Sequence, residues 1–181
     1  MNNNLEKLHP YPFQRFNQLL DGVTSETNLQ QIAWSMGEPK HAAPAFLVNA
    51  LTDTALIREG FGTYPPTKGT PELRTAIADF VNRRDRLEPA LDPELNVLPV
   101  TGTREALFAF AQAVIEPQPD CVTVMPNPFY QIYEGAALLA GSKPYYINCE
   151  PGNGYQPDFD AVSEEVWQRC QLLYLCSPGN P

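Results

Sequence analysis

Apolar residues recur with a helical period in the first half of the chain. Apolar positions 13, 16 and 20 fall on one face of a helix, which predicts a short helical segment there. A longer helix is predicted over residues 44–58, because Pro44 suits a first helical position. The apolar run at residues 32–36, which Gly37 follows, predicts a short strand.

A third helix is predicted to begin after Thr70, a residue type that caps helices, with Pro71 at its first position. Its apolar residues are spaced at i, i+4, i+7 and i+8, which places them on one side of the helix. We therefore expect one buried stripe, made of Leu73, Ile77, Phe80 and Val81.

Strand-like and helix-like segments alternate from residue 95 onward. The predicted order is strand 95–100, helix 103–114, strand 121–125, helix 130–140, strand 145–148, helix 158–169 and strand 172–176. Strand–helix–strand order repeated in this way predicts an α/β fold with a mostly parallel sheet. The one predicted boundary lies near residues 42–44.

The charge of the chain limits its partners. The sequence has 12 Lys and Arg against 21 Asp and Glu, a net charge of −9. Nucleic acids and anionic membranes both require a basic surface, so we expect neither as a partner. Residues 1–8 are polar and do not form an export signal, and we find no apolar stretch that could span a bilayer.

The residues that could bind a metal or form disulfides are widely spaced. They are Cys121, Cys149, Cys170 and Cys176, with His9 and His41. Because no CxxC pair occurs, we expect neither a metal site nor a disulfide framework. Buried thiols in a reducing, cytoplasmic environment explain the cysteines.

In parallel sheets, ligands bind beyond the carboxyl ends of the strands, so the loops that leave the predicted strands are candidates for chemistry. Gly102 lies in such a loop, where a backbone without a side chain can turn sharply. The free N–H groups of the following helix and the Thr103 hydroxyl suit a phosphate. A simple helix cap would give the same pattern, and the spacing of a nucleotide P-loop is missing.

Aromatic residues follow the predicted strand 121–125. An aromatic ring at this place can stack on a planar ligand. Core packing explains Phe129 and Tyr133 better, while Tyr130 remains open between the two roles. Earlier in the chain, the loop at residues 60–69 is either a connector or presents Tyr64 or Lys68 to a site, and Gly37 is either a turn residue or a backbone donor to a substrate carboxylate.

Five motifs in order carry a resemblance to a known family. They are Met36-Gly37-Glu38-Pro39, Tyr64…Lys68-Gly69…Leu73-Arg74, Gly102-Thr103-Arg104-Glu105, Pro128-Phe129-Tyr130…Tyr133 and Ser177-Pro178-Gly179-Asn180-Pro181. Over essentially the whole chain, the set resembles the class I/II aminotransferases, pyridoxal-phosphate enzymes of fold type I. The resemblance implies the N-terminal portion of that three-layer fold. Residues 1–43 would form an N-terminal arm and small-domain segment, and residues 44–181 the first part of the large cofactor-binding domain.

The resemblance also implies roles for residues of the candidate loops. Gly102, Thr103 and Arg104 would hold the phosphate of pyridoxal 5'-phosphate at the helix N-terminus. Tyr130 would stack on the pyridine ring, and Asn180 would hydrogen-bond the ring hydroxyl. These roles agree with the phosphate and stacking chemistry that the residue types favour.

Two further roles follow from the same resemblance. Tyr64 would reach the phosphate bound by the other subunit of a homodimer, and Gly37 would help to bind the substrate carboxylate. The lysine that carries the cofactor in this family lies downstream of the Asn-Pro-x-Gly motif at which this chain ends. The lysines present are Lys7, Lys40, Lys68 and Lys143, and their context differs. We therefore assign no catalytic residue and expect an incomplete chain that is inactive by itself.

Within the family, residues 8–13, 37–41 and 126–135 are most similar to the branch that acts on N-succinyl-L,L-diaminopimelate. That branch exchanges an amino group with glutamate and 2-oxoglutarate in lysine biosynthesis. Two alternatives stay open. The chain could belong to another aminotransferase, for aspartate, alanine or aromatic amino acids, or it could be a non-catalytic truncated remnant.

Overall fold

The structure, a computed structural model, separates the chain into two units. It describes residues 1–24, 27–30, 32, 34–35 and 37–181. One unit comprises Met1–Asp21 and Val100–Pro181, and the other comprises Gly22–Pro99. The predicted strand at residues 32–36 includes Ala33 and Met36, which lie outside the described residues. The division into residues 1–43 and 44–181 stays a prediction.

Within the described residues, three parallel strands form the sheet of the first unit. They are β1 (Val122–Asn127), β2 (Lys143–Asn148) and β3 (Cys170–Leu173), in the order β2-β1-β3. On one side β1 pairs with β2 in continuous register, and on the other it pairs with β3 after one shift between Val122 and Thr123. The predicted α/β fold with a parallel sheet is confirmed.

Helices cover both faces of this sheet. Successive residues of β1 point to opposite faces and so belong to two separate cores. Met125 belongs to the core shared with α5 (Thr103–Val114) and α6 (Ile132–Leu139). Val122 and Val124 pack on the opposite face, where Val166 of α7 (Glu164–Arg169) completes a second core. The predicted three-layer arrangement is therefore confirmed.

Small residues let α5 and α6 approach each other closely. Ala111 and Ala136 are fully buried, and the Gln112 side chain donates a hydrogen bond of 2.9 Å to the Ala136 carbonyl. The predicted bounds of α5, residues 103–114, are confirmed. Two elements precede α5 and α6 in this unit. A 3₁₀ turn at Asn3–Lys7 lies against α6. Helix α1 (Pro12–Leu20) confirms the short helix predicted around residues 13–20.

The second unit contains α2 (Ala45–Leu51), α3 (Thr54–Gly60) and α4 (Pro71–Asp85). The prediction of one continuous helix over residues 44–58 is wrong. The Thr52 hydroxyl donates to the Val48 carbonyl at 3.0 Å, and the Ala55 amide donates to the Asp53 carboxylate at 2.9 Å. These two side chains satisfy backbone groups locally and so end one helix and begin the next.

Helix α4 begins as predicted but buries only part of the predicted stripe. Its N-cap Thr70 accepts a hydrogen bond of 3.2 Å from the Leu73 amide. Ile77 and Val81 are half-buried, but Leu73 and Phe80 are 47% and 54% exposed. The fully buried residues are Arg74 and Ala78, which lie beside Ile77 and Val81 on the helix.

The prediction of a strand over residues 95–100 is wrong. The Asp92 carboxylate accepts hydrogen bonds from the Glu94 amide at 2.7 Å and the Leu95 amide at 3.3 Å, which holds the chain in a turn. Residues 97–100 have no neighbouring strand in the described part of the chain, and Leu98 is 66% exposed.

Two other elements are shorter than predicted. The last helix starts at Glu164, six residues after the predicted start, because the Asp158 carboxylate accepts the Asp160 and Ala161 amides in a turn. The last strand ends at Leu173 instead of residue 176.

No helix within the described residues is both long and apolar enough to cross a membrane.

Candidate functional site

The N-terminus of α5 lies at the centre of the candidate site. Gly102 precedes this helix with φ of +138°, a conformation that residues with side chains rarely adopt. A Cβ atom at Gly102 would also collide with the Glu105 carboxylate. The first intrahelical bond runs from the Ala106 amide to the Gly102 carbonyl, so the three preceding amides, starting at Thr103, point out of the helix toward a possible anion.

Arg104 and Tyr130, predicted from two separate loops, contact each other here. The Arg104 Nε donates a hydrogen bond of 2.8 Å to the Tyr130 hydroxyl, and its guanidinium carbon lies 5.9 Å from the centre of the ring. This hydrogen bond to the Tyr130 oxygen is the main cause that raises the pKa of Arg104. The arrangement therefore places a permanent positive charge and a half-buried aromatic ring together at the first turn of α5.

Two buried tyrosines brace the ring of Tyr130 from the core side. Tyr133 meets it edge to face at 5.9 Å, and Tyr174 stacks on Tyr133 at 4.2 Å with an interplanar angle of 7°. The Tyr174 hydroxyl donates a hydrogen bond of 2.9 Å to the Leu107 carbonyl of α5. The contacts join α6, α5 and the residue that follows β3, so Tyr130 is held against the packed core.

Both bracing phenols are protonated at neutral pH. Burial raises the pKa of Tyr133, and the neighbouring Cys176 adds to the effect. Burial also raises the pKa of Tyr174 to about 12, with Tyr133 as the second cause. Each hydroxyl thus keeps its proton at neutral pH and does not act as a base there.

A cavity of about 590 Å³ opens where the three strands end. Its walls come from the loops that follow β1, β2 and β3, and they include Cys149, Tyr155 and Cys176. Its position agrees with the rule that parallel sheets bind ligands at their carboxyl ends. Gly179 and Pro181 line the cavity on either side of Asn180, whose own side chain is exposed.

Two other predicted site residues belong to the second unit of the chain. Gly37 and Tyr64 belong to the unit Gly22–Pro99, and a Cβ atom at Gly37 would meet open space. Tyr64 is 99% exposed. Lys40 pairs with Glu38 at 3.8 Å and Lys143 pairs with Asp120, so both make surface ion pairs. The roles of Gly37 and Tyr64 in a site stay predictions. No role in the site is assigned to Lys40 or Lys143.

Sequence reasoning missed Tyr174 as part of the bracing group. A signal was present, because Tyr174 follows Leu172 by two residues and so shares its side of the strand. The interpretation of Tyr133 as a core residue is confirmed by its 5% exposure. The cysteines are all free, and the expectation of buried thiols is confirmed for Cys121 only. Cys149 and Cys170 are half-buried, and Cys176 is exposed.

The fold and these motifs define a known class of protein. The chain matches the aminotransferase class I and II family over residues 30–181 and belongs to that family. Enzymes of this family use pyridoxal phosphate and act on amino and oxo acids. No catalytic lysine is assigned to this chain.

Several members of the family are similar to the chain. An aminotransferase structure from Neisseria meningitidis is 43% identical, with a TM-score of 0.88, over 100% of this chain and 45% of that one. The aminotransferase AspB of Helicobacter pylori is 31% identical, with a TM-score of 0.83, over 96% and 44% of the two chains. The LL-diaminopimelate aminotransferase of Desulforudis audaxviator is 29% identical over 98% of this chain and 44% of its own length. The chain thus spans less than half the length of the relatives it matches.

The residues at the N-terminus of α5 fit pyridoxal phosphate. Its phosphate suits the outward-pointing amides, the Thr103 hydroxyl and the Arg104 charge. Its planar ring suits the half-buried face of Tyr130, which other tyrosines hold from behind. The φ of +138° at Gly102 favours glycine, and the flexible Glu105 carboxylate lies beside it, where it would have to turn away for the phosphate to approach.

Proposed function

We propose that the intact protein is a pyridoxal-phosphate-dependent aminotransferase and that this chain supplies part of its cofactor site. The observation that carries the proposal is the hydrogen bond between Arg104 and Tyr130 at the open N-terminus of α5. It joins the two features that the cofactor needs, a phosphate site and a stacking ring. Family membership supports the same conclusion.

In this proposal the residues of the chain bind and orient the cofactor. The amides that follow Gly102 and the Thr103 hydroxyl donate to its phosphate, and Arg104 balances the phosphate charge. Tyr130 fixes the plane of the ring. When bound, pyridoxal phosphate supplies an electron sink for the bond that breaks at the substrate Cα.

Three further residues are proposed to complete the site. Asn180 would hydrogen-bond the ring hydroxyl of the cofactor, and its exposed side chain lies between Gly179 and Pro181, which line the cavity at the strand ends. Tyr64 would contact the phosphate in the other subunit of a homodimer, which its full exposure allows. Gly37 would help to bind the substrate carboxylate.

For the substrate, we propose N-succinyl-L,L-diaminopimelate, with 2-oxoglutarate and glutamate as the exchanging pair. Residues 8–13, 37–41 and 126–135 support this choice by their resemblance to that branch. A second candidate is unacylated LL-diaminopimelate, because curated relatives at 26–30% identity bear that name. Both candidates place the protein in diaminopimelate chemistry.

The cofactor site is tested by titrating the intact protein with pyridoxal phosphate and following its absorbance. Tyr130→Leu is expected to weaken binding about tenfold, since it removes the stacking ring. Tyr145→Leu is the matched control, because Tyr145 packs in the core on the opposite face of the sheet. Failure of the wild-type protein to bind pyridoxal phosphate would refute the proposed function and would favour a non-catalytic remnant.

The substrate is tested by comparing transfer rates of the intact enzyme. N-succinyl-L,L-diaminopimelate, LL-diaminopimelate, aspartate, alanine and an aromatic amino acid are each supplied with 2-oxoglutarate. We expect the succinylated compound to react fastest. A faster reaction of LL-diaminopimelate would select the second candidate, and similar rates for all five would reject both.

A further inference from the structure

A buried arginine in the second unit holds the backbone of a loop. Arg74 of α4 is only 5% exposed. Its Nη1 donates to the Gly69 carbonyl at 2.6 Å and to the Lys68 carbonyl at 3.3 Å, and its Nη2 binds the Glu94 carboxylate. A buried charge is costly unless it is paired and hydrogen-bonded, and these contacts meet that requirement for two of the three nitrogens.

The third nitrogen is not satisfied. The buried Arg74 Nε makes no hydrogen bond with the residues that the structure describes. Leaving a buried donor without a partner costs free energy, and an apolar side chain would avoid that cost. Stability alone therefore does not explain an arginine at this position. The hydrogen bonds of Arg74 to two consecutive carbonyls do explain it.

The held segment is the end of the loop that carries Tyr64. The Gly69 amide closes a turn by donating to the Pro66 carbonyl at 2.8 Å. Gly69 has φ of +75°, and a Cβ atom there would come within 2.8 Å of Pro99. The turn, the contact with Pro99 and Arg74 thus fix the chain two to five residues after Tyr64.

We propose that Arg74 is a positioning residue for Tyr64. It fixes the backbone of residues 68–69, so that the exposed Tyr64 ring is presented in one place to the cofactor phosphate of a partner subunit. This inference rests on the role of Tyr64 in the proposed function. A preorganised loop loses less conformational entropy on binding, which raises affinity without a new contact.

The guanidinium fork suits this task better than an ammonium group. Its nitrogens lie in one plane and reach two carbonyls and a carboxylate in different directions. A lysine keeps the charge beside Glu94 but concentrates its donors at one point. Arg74→Lys therefore separates the geometry from the charge.

The first test is limited proteolysis of the intact protein with trypsin, which cleaves after Lys68. The rate of cleavage at the bond between Lys68 and Gly69 is followed by mass spectrometry. In Arg74→Lys we expect this bond to be cut about tenfold faster, because its carbonyl is no longer held. The substitution adds no new cleavage site, since trypsin accepts arginine and lysine alike.

Asn82→Ala is the matched control on the same helix. Asn82 accepts a hydrogen bond of 2.8 Å from the Leu91 amide and so ties α4 to a different loop. We expect it to change cleavage after Lys68 by less than about twofold. Equal acceleration in the two variants, or none in Arg74→Lys, would overturn the proposal. If Arg74→Lys does not fold, Glu94→Gln replaces it, and there we expect about threefold faster cleavage after Lys68. An unchanged rate in Glu94→Gln would equally count against the proposal.

The second test is a double-mutant cycle on the affinity for pyridoxal phosphate. Arg74→Lys should weaken binding about fivefold in the wild type but less than about twofold in the Tyr64→Phe background, since it acts through that hydroxyl. The same loss in both backgrounds would refute positioning of Tyr64. If Tyr64→Phe itself leaves affinity unchanged, the role of Tyr64 in the proposed function fails, while the proteolysis still decides whether Arg74 fixes the loop.

Discussion

Strand β1 and helix α4 are held in place by different kinds of contact. Val124 and Met125 of β1 are fully buried, and apolar side chains cover them from both faces of the sheet. In α4, the buried positions are Arg74 and Ala78, while Leu73 and Phe80 remain about half exposed. The strand depends on apolar packing, and the helix depends on hydrogen bonds made by two polar side chains, Asn82 and the buried Arg74.

This difference has a consequence for function. Apolar packing is strong but has no direction, so it fixes a whole element more readily than a single backbone atom. Hydrogen bonds from a guanidinium group have direction and can select individual carbonyls. The ring of Tyr130 is accordingly held by the packed core, whereas the loop of Tyr64 is held by a polar contact.

The largest expected effect comes from the packed strand. Met125→Ala should lower the free energy of unfolding of the 181-residue chain by about 3 kcal/mol, because it leaves a cavity in a core that cannot collapse fully. Urea denaturation followed by circular dichroism measures the change. Leu98→Ala, at a residue that is 66% exposed, serves as the control and should have little effect. Similar losses in the two variants would remove the contrast between the regions.

Local signals explain why several elements could be predicted from the sequence. Thr70 with Pro71, and Gly102 with Thr103, mark helix starts within two residues, and both starts are found where expected. Tyr130 follows β1, where the strand ends of a parallel sheet predict a site. Arg104 does not follow a strand in the structure, so only the family resemblance assigned both residues to one site.

Other features depend on residues far apart in the chain. Arg74 is buried against Glu94, which lies 20 positions away, and the apolar spacing of α4 gives no sign of this contact. The segment at residues 97–100 has strand-like residues, but a strand also needs a neighbour. The brace formed by Tyr133 and Tyr174 joins residues 41 positions apart and cannot be inferred from either segment alone.

A moderate effect is expected where the packed region contains a directional contact. Tyr174→Phe removes the hydrogen bond to the Leu107 carbonyl but keeps the ring stacked on Tyr133. We expect it to lower the free energy of unfolding at neutral pH by about 1.5 kcal/mol. Denaturation of both proteins measures this loss, and its absence would mean that packing alone holds the brace.

The same variant has a pH signature. Burial raises the pKa of Tyr174 from 10.0 in the unfolded chain to about 12 in the folded one. The folded state therefore keeps its proton while the unfolded state loses it, and stability present below pH 10 is lost as the pH rises toward 12. Over this range the free energy of unfolding of the wild type should fall more steeply than that of Tyr174→Phe, by about 1 kcal/mol per pH unit. Parallel pH profiles would contradict the burial of the hydroxyl.

A smaller effect is expected from the polar contacts of α4. Glu94→Gln should lower the free energy of unfolding by about 1 kcal/mol, because Glu94 is exposed but pairs with a buried charge. The control is Asp85→Asn, which removes the exposed ion pair with Arg84 and should cause no measurable change. A larger loss for Asp85→Asn than for Glu94→Gln would show that burial of Arg74 does not set the strength of its pair.

The smallest effect is expected at the exposed stripe of α4. In the 181-residue chain, Leu73→Ala should change the free energy of unfolding by less than about 0.5 kcal/mol, since the side chain is already 47% exposed. Repeating the measurement on the intact protein in its native assembly sharpens the comparison with β1. A loss above about 1 kcal/mol there would mean that the assembly covers the stripe, because only burial converts this residue into a stabilising contact. An unchanged small value would mean that α4 depends on Arg74 and its hydrogen bonds in the assembled protein as well.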